Sequence, residues 1–217
     1  LLSPETADEI WEGCNERLTD KDFSAQGLLR KFRVDAVGTT DDPTDNLSHH
    51  VAANASDCPT KIYPTFRPDK AFFVDRPSRL NPWLDQLGKN IITFADLLSA
   101  LKARQDYFHE KGCRLTDHGM RYALSNPCHE SEADQILAKV REGEAANPKE
   151  TDAFGALIMY HVGQWVSEKN WTMQLHLGPR RNPNTRLFDK LGPDSGFDTI
   201  GDWPQGEALL SFLDSLS

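Results

Sequence analysis

The feature that most constrains this chain is an alternation of short apolar segments with helical patterns, repeated four times. The segments predicted as strands are 33–39, 61–66, 113–117 and 171–177. Such alternation is typical of parallel sheets, so we expect the strands to lie adjacent in sequence order with right-handed helical crossovers. No dinucleotide-binding glycine motif, P-loop or G-x-S-x-G follows any strand. Each strand instead ends in a different polar cluster, which predicts an α/β fold with about four parallel strands of a (β/α)₈ TIM-type barrel.

Additional helices are predicted before the first strand. The Ser3-Pro4-Glu5 segment indicates a helix start with Ser3 as N-cap, and a second short helix should run from Ser24 to Phe32. The first helix has one apolar face, formed by Ile10, Trp11, Cys14 and Leu18. We therefore divide the chain into a helical segment, 1–32, and a partial barrel, 33–217.

Later helices are also marked by local signals. Thr93 with Asp96 forms a predicted capping box, and Asn147-Pro148 separates two further helices, at about 131–140 and 149–169. Residues 187–206 are predicted to be loop, followed by a last amphipathic helix. The adjacent histidines His49 and His50 point about 100° apart on a helix, so we interpret them as solvated or capping residues rather than a metal pair.

Composition excludes several classes of function. The net charge of the 217 residues is −9 and no segment is strongly basic, which argues against nucleic-acid binding. No apolar run is long enough to span a bilayer, so we expect no membrane partner. The four cysteines are scattered without a C-x-x-C, which predicts reduced thiols in a cytoplasmic protein. The start at Leu1 without Met suggests a piece of a longer polypeptide.

The stretch from Trp171 to Asn184 is the strongest functional signal. Its strand would deliver His176 to the carboxyl end and open into a polar loop, the edge at which ligands bind in parallel α/β folds. The loop carries Arg180, Arg181, Asn182 and Asn184. An imidazole beside guanidiniums and amides suits an anionic, hydroxyl-rich ligand. The alternative is a polar loop whose arginines pair with surface acids.

Five segments together resemble the uronate (glucuronate) isomerase family of the amidohydrolase superfamily, and the resemblance extends over essentially all 217 residues. They are residues 37–43 (VGTTDDP), 66–72 (FRPDKAF), 116–118 (TDH), 176–184 (HLGPRRNPN) and 191–198 (LGPDSGFD). The resemblance implies a distorted (β/α)₈ barrel with extra helices. It also implies a divalent metal, usually zinc, held by a His-x-His pair on the first strand and an aspartate on the last. This chain has neither, so the resemblance implies the central part of the enzyme, with the metal ligands outside this chain and the isolated piece inactive.

The resemblance places Arg67, Asp117, His176 and Arg181 at the site, and each also stands at or just past a predicted strand end. The arginines would clamp a carboxylate or sugar oxygens, and Asp117 and His176 would act as catalytic groups that orient hydroxyls, move protons or support the metal's ligands. The alternatives are a structural Arg67–Asp69 salt bridge and a core histidine at 176. The remaining polar residues of these segments would surround the site or lie on the surface: His118, Asp41, Asp42, Lys70 and Arg180.

The function implied is aldose–ketose isomerisation of hexuronates, D-glucuronate to D-fructuronate and D-galacturonate to D-tagaturonate. A proton would move between C1 and C2 through an enediol. The partners expected are the hexuronate substrate and further copies of the chain in a homo-oligomer. Two alternatives remain open: a metal-dependent hydrolase of the same superfamily, and a non-catalytic module that binds sugar acids or is purely structural.

Overall fold

The computed structural model describes residues 1–217, which form two compact units. One comprises residues 1–39 and 46–64, and the other comprises residues 40–45 and 65–217. The predicted division into a helical segment, 1–32, and a barrel segment, 33–217, stays a prediction.

The first unit contains three α-helices, a 3₁₀ helix at Lys21–Phe23 and a two-stranded parallel sheet. Its elements are α1 (Ala7–Leu18), α2 (Ala25–Lys31), β1 (Ala36–Gly38), α3 (Ser48–Asn54) and β2 (Lys61–Tyr63). The two predicted strands are present but shorter than expected, and β2 stops directly before Pro64, which has no N–H to donate to a ladder.

Two expectations for this unit were wrong in detail. The N-cap position of α1 is Thr6 rather than Ser3, and Thr6 makes no side-chain cap hydrogen bond; its backbone N–H instead closes a turn onto the Ser3 carbonyl, 3.2 Å away. Its apolar face is exposed, with Trp11 at 70%. His50 is not solvated. It is buried, and its Nε2 lies 2.8 Å from Oγ1 of Thr39.

The second unit is built on a parallel sheet in sequence order. Strands β3 (Leu115–Met120) and β4 (Thr172–Leu177) pair along their full length. Asp41 bridges to Phe66, and Phe66 bridges to Thr116, both in parallel. The four chain segments of this unit therefore run parallel and adjacent in sequence order, as predicted.

Six α-helices and a 3₁₀ helix at Asp69–Asp75 accompany this sheet. The α-helices are α4 (Pro77–Leu87), α5 (Phe94–Glu110), α6 (Glu130–Arg141), α7 (Pro148–Glu168), α8 (Thr185–Leu191) and α9 (Gly206–Asp214). Both predicted starts are confirmed, since Thr93 with Asp96 caps α5 and Asn147 with Glu150 caps α7. The α/β class with parallel strands is likewise confirmed.

The predicted loop over 187–206 was partly wrong. Asn184 caps α8 through the Leu187 N–H, and a small antiparallel hairpin forms between β5 (Pro179–Arg180) and β6 (Thr199–Ile200). Six strands are thus present rather than four. The hairpin escaped prediction because each strand has only two residues, too few to show a periodicity.

Aromatic side chains fill the core of the second unit. Phe66 meets Phe108 edge to face at a centroid distance of 5.2 Å, and Phe94 meets Phe154 at 5.4 Å. All four rings are essentially inaccessible to solvent. This packing fixes the end of the segment at Phe66, the position from which Arg67 leaves the sheet.

Two further expectations concern the cysteines and the membrane. All four cysteines are free thiols, and burial raises the pKa of the Cys113 thiol to about 11. None of the helices combines the length and the apolar character that crossing a bilayer requires.

The cap of α7 gives a stability prediction. Oδ1 of Asn147 accepts the N–H groups of Lys149 and Glu150. Asn147→Ala should lower the free energy of unfolding by about 1 kcal/mol in urea titrations. Lys149→Ala, at an exposed neighbouring position, is the control and should change it little. Equal stability of the two variants would contradict the cap's role.

Candidate functional site

A buried carboxylate on β3 is the centre of the candidate site. Asp117 is 4% exposed. Because side chains alternate along a strand, it shares one face of β3 with Gly119, while His118 lies on the other face. An ionised carboxylate at such a position requires charged or hydrogen-bonding partners.

Three side chains from three different chain segments supply those partners. Thr40 donates to Oδ2 at 3.2 Å, and Nη1 of Arg67 donates to the same oxygen at 3.4 Å. Nδ1 of His176 lies 2.7 Å from Oδ1. Oδ1 is a buried atom, and Nδ1 of His176 is its ion-pair partner. Two of the four predicted site residues, Arg67 and His176, thus meet a third, Asp117.

The position of His176 follows from the register of β3 and β4. His176 stands opposite Gly119, and Gln174 stands opposite Asp117. The imidazole is 54% exposed, and its Nε2 lies 2.9 Å from Nε2 of Gln174. The alternative of a core histidine was therefore wrong: the ring is exposed to solvent, and its Nδ1 faces the Asp117 carboxylate.

Arg67 is fixed by a second carboxylate. Its Nε donates to Oδ2 of Asp69 at 3.2 Å. Asp69 is in turn held by the backbone N–H of Gly119 at 2.8 Å and faces Nδ1 of His118 at 2.9 Å. The predicted Arg67–Asp69 salt bridge therefore exists, and the same guanidinium also reaches Asp117.

Arg181 approaches from the hairpin rather than from the sheet. Its Nη1 donates to Oδ2 of Asp198 at 2.6 Å, and the backbone N–H of Asn182 donates to Oδ1 at 2.9 Å. These bonds, the one from the Asn182 backbone first, lower the pKa of Asp198 below its usual range. The Arg181 side chain is 58% exposed, so most of its donors face solvent.

All four predicted residues line one open cleft of about 830 Å³. The other lining residues are Thr40, Leu177, Gly178, Pro179, Asp198, Thr199 and Ile200. Sequence reasoning gave no role to Thr40 or Asp198, although both fall within the segments that carry the family resemblance. The sequence could have indicated them only by their positions beside a predicted strand end or loop. The fold places Thr40 next to Asp117 and Asp198 next to Arg181.

The remaining polar candidates lie outside the cleft. Burial of the Asp42 carboxylate opposes ionisation, but hydrogen bonds from Thr44, Trp83 and Lys70 lower its pKa overall. Asp42 therefore holds Trp83 and Lys70 in place. Asp41 accepts the N–H of Thr65, and His118 is fully buried behind the sheet. Arg180 lies in β5 and does not line the cleft.

Known proteins resemble this chain over its whole length. The family model described as glucuronate isomerase matches residues 1–217. The uronate isomerase of Solibacter usitatus is 48% identical over 100% of this chain and 47% of its own length, and that of Opitutus terrae is 44% identical over 100% and 46%. The chain belongs to the glucuronate isomerase family.

Solved structures of the glucuronate isomerase family agree in fold. The crystal structure of a uronate isomerase from Thermotoga maritima matches with a TM-score of 0.87 and 33% identity, covering 99% of this chain and 48% of that chain. The glucuronate isomerase of Caulobacter crescentus also has a TM-score of 0.87, at 23% identity, which supports the fold alone. The chain spans about half the length of the curated relatives that it matches.

The metal that the family resemblance implies does not fit the residues present. No group of three or more histidine, cysteine, aspartate or glutamate side chains is arranged to hold a metal ion. In the cleft, Asp117 and His176 face each other rather than a common point.

The contact between Asp117 and His176 gives a prediction about the ring. A carboxylate only accepts hydrogen bonds, so in the neutral imidazole the proton should lie on Nδ1. Two-dimensional ¹H–¹⁵N spectra of the histidine rings distinguish the tautomers. Asp117→Asn should shift the population towards Nε2–H, and Asp189→Asn, on exposed α8, should not. A neutral His176 protonated on Nε2 in the unsubstituted protein would contradict this geometry.

Proposed function

We propose that this chain forms the part of a uronate isomerase that binds and orients the sugar acid. The observation that carries the proposal is the cluster of Arg67, Asp117 and His176 at the base of an open cleft, with Arg181 on its rim. The names of the relatives and the family model support it. The substrate would be a hexuronate such as D-glucuronate.

Each side chain has a part in this function that its contacts support. Arg181 presents exposed donors on the hairpin, which suits the substrate carboxylate. Arg67 faces the cleft from the sheet and would bind oxygens deeper along the sugar. Asp117, whose Oδ1 lies 2.7 Å from Nδ1 of His176, would hold that ring in position beside the substrate.

His176 is the group suited to move a proton. Aldose–ketose isomerisation takes a proton from C2, returns one to C1, and transfers the O2 hydroxyl proton to O1. With its Nδ1 proton facing Asp117, the ring accepts a proton at Nε2, and Asp117 would stabilise the imidazolium formed. A substrate hydroxyl would take the place that Gln174 holds at Nε2. His176 would then carry the hydroxyl proton between O2 and O1.

Substitution in the native gene product that carries this sequence tests the proposal. Arg181→Met should lower kcat/KM for D-glucuronate roughly ten- to a hundredfold, since it removes a charge-assisted hydrogen bond at the binding site. His176→Asn should cost more, on the order of 10²–10⁴-fold, because it removes a proton carrier. Steady-state kinetics measure both, and the melting temperature should change little because both side chains are more than half exposed.

Matched variants separate the site from the general surface. Arg186→Met and His49→Asn change exposed residues of the same types outside the cleft, and both should leave the kinetics unchanged. If Arg181→Met and His176→Asn behave like these controls, or lower the melting temperature while sparing kcat/KM, the assignment is wrong. Binding of D-glucuronate without turnover in the unsubstituted protein would favour a non-catalytic sugar-acid-binding module.

A further inference from the structure

Two residues of β3, His118 and Gly119, contact the carboxylate of Asp69. Oδ2 accepts the backbone N–H of Gly119 at 2.8 Å, and Oδ1 lies 2.9 Å from Nδ1 of fully buried His118. The Asp69 side chain is 13% exposed. One contact is a backbone N–H of a paired strand and the other is a fully buried side chain, so the carboxylate has a fixed position.

Arg67 depends on that carboxylate for its direction. Its side chain is 31% exposed and has several rotatable bonds, whose ordering carries an entropic cost. Nε is bonded to Asp69 and Nη1 to Asp117, which sets the plane of the guanidinium. A planar group held through two nitrogens has one orientation, and in this orientation Arg67 lines the cleft.

Gly119 provides the space that this orientation needs. A Cβ atom at position 119 would overlap Nη2 of Arg67. Gly119 has no positive φ that would itself require glycine. The guanidinium that lies over the strand therefore explains why position 119 has no side chain. This observation is independent of the ion pair, and it also indicates that the fold sets the position of Arg67.

We propose that Asp69 is a positioning residue: together with the bare backbone of Gly119, it aligns Arg67 so that Nη1 pairs with Asp117 and Nη2 is left to bind the substrate. The effect on substrate rests on the function proposed above, whereas the alignment of Arg67 does not. The alternative is a local salt bridge that contributes only to stability.

Two variants of the native gene product disturb the alignment in different ways. Asp69→Asn removes the charge that holds Nε but keeps an oxygen for the Gly119 N–H. Gly119→Ala keeps the carboxylate and displaces the guanidinium. Each should raise KM for D-glucuronate roughly ten- to a hundredfold with little change in kcat, since binding common to ground state and transition state is what is lost.

The control is Asp75→Asn. Asp75 pairs with Nε of Arg76 at the same 3.2 Å and lies outside the cleft, so its loss should leave KM unchanged. In an Arg67→Met background, Asp69→Asn should have no further effect on KM, because Asp69 acts through Arg67. If Asp69→Asn and Gly119→Ala both behave like Asp75→Asn, or if Asp69→Asn costs as much without Arg67 as with it, the proposal is overturned.

A spectroscopic measurement separates this proposal from the proposed function. The Nε–H of Arg67 should give a protected ¹H–¹⁵N signal in the unsubstituted protein that weakens in Asp69→Asn and stays in Asp75→Asn. Absence of glucuronate binding or turnover in the unsubstituted protein would count against the proposed function, while this signal would still support or overturn the alignment. An Arg67 Nε–H unprotected in all variants would overturn it.

Discussion

The charge of Asp117 is the constraint on which the candidate site depends. A carboxylate buried on a sheet is tolerated only where opposite charge and hydrogen-bond donors surround it. Here those groups come from three separate places: Thr40, Arg67 at the end of the next segment, and His176 on β4. Each lies at or near the end of a parallel segment, so the order of the strands is also the reason the charges meet.

The site has a fixed side and an exposed side. Arg67 is tied to the sheet through Asp69 and Asp117, both largely buried. Arg181 directly follows the two-residue strand β5, is more than half exposed, and pairs with Asp198. A sugar acid that entered the cleft would meet an ordered arginine at the base and an adaptable one at the rim. This arrangement suits a ligand with hydroxyls at one end and a carboxylate at the other.

The sequence predicted the features that depend on neighbouring residues better than those that depend on residues far apart in the chain. The strands, the capping box at Thr93, the helix boundary at Asn147-Pro148 and the parallel order follow from local patterns, and all were confirmed. The pairing of Asp198 with Arg181 and the burial of His50 depend on contacts between residues distant in sequence, which no local periodicity records. The apolar face of α1 shows the converse: the pattern correctly predicted a helix, but a pattern alone does not say what, if anything, covers that face.

The central claim is that the cleft around Asp117 recognises a sugar through its acid group. An NMR titration of the protein with D-glucuronate, compared with uncharged D-glucose, tests this most directly. The account predicts chemical-shift changes concentrated at residues lining the cleft, including the amides of Thr40, Gly178 and Thr199, that appear with D-glucuronate and are weak or absent with D-glucose. Equal responses to both sugars, or changes confined to residues outside the cleft, would contradict it.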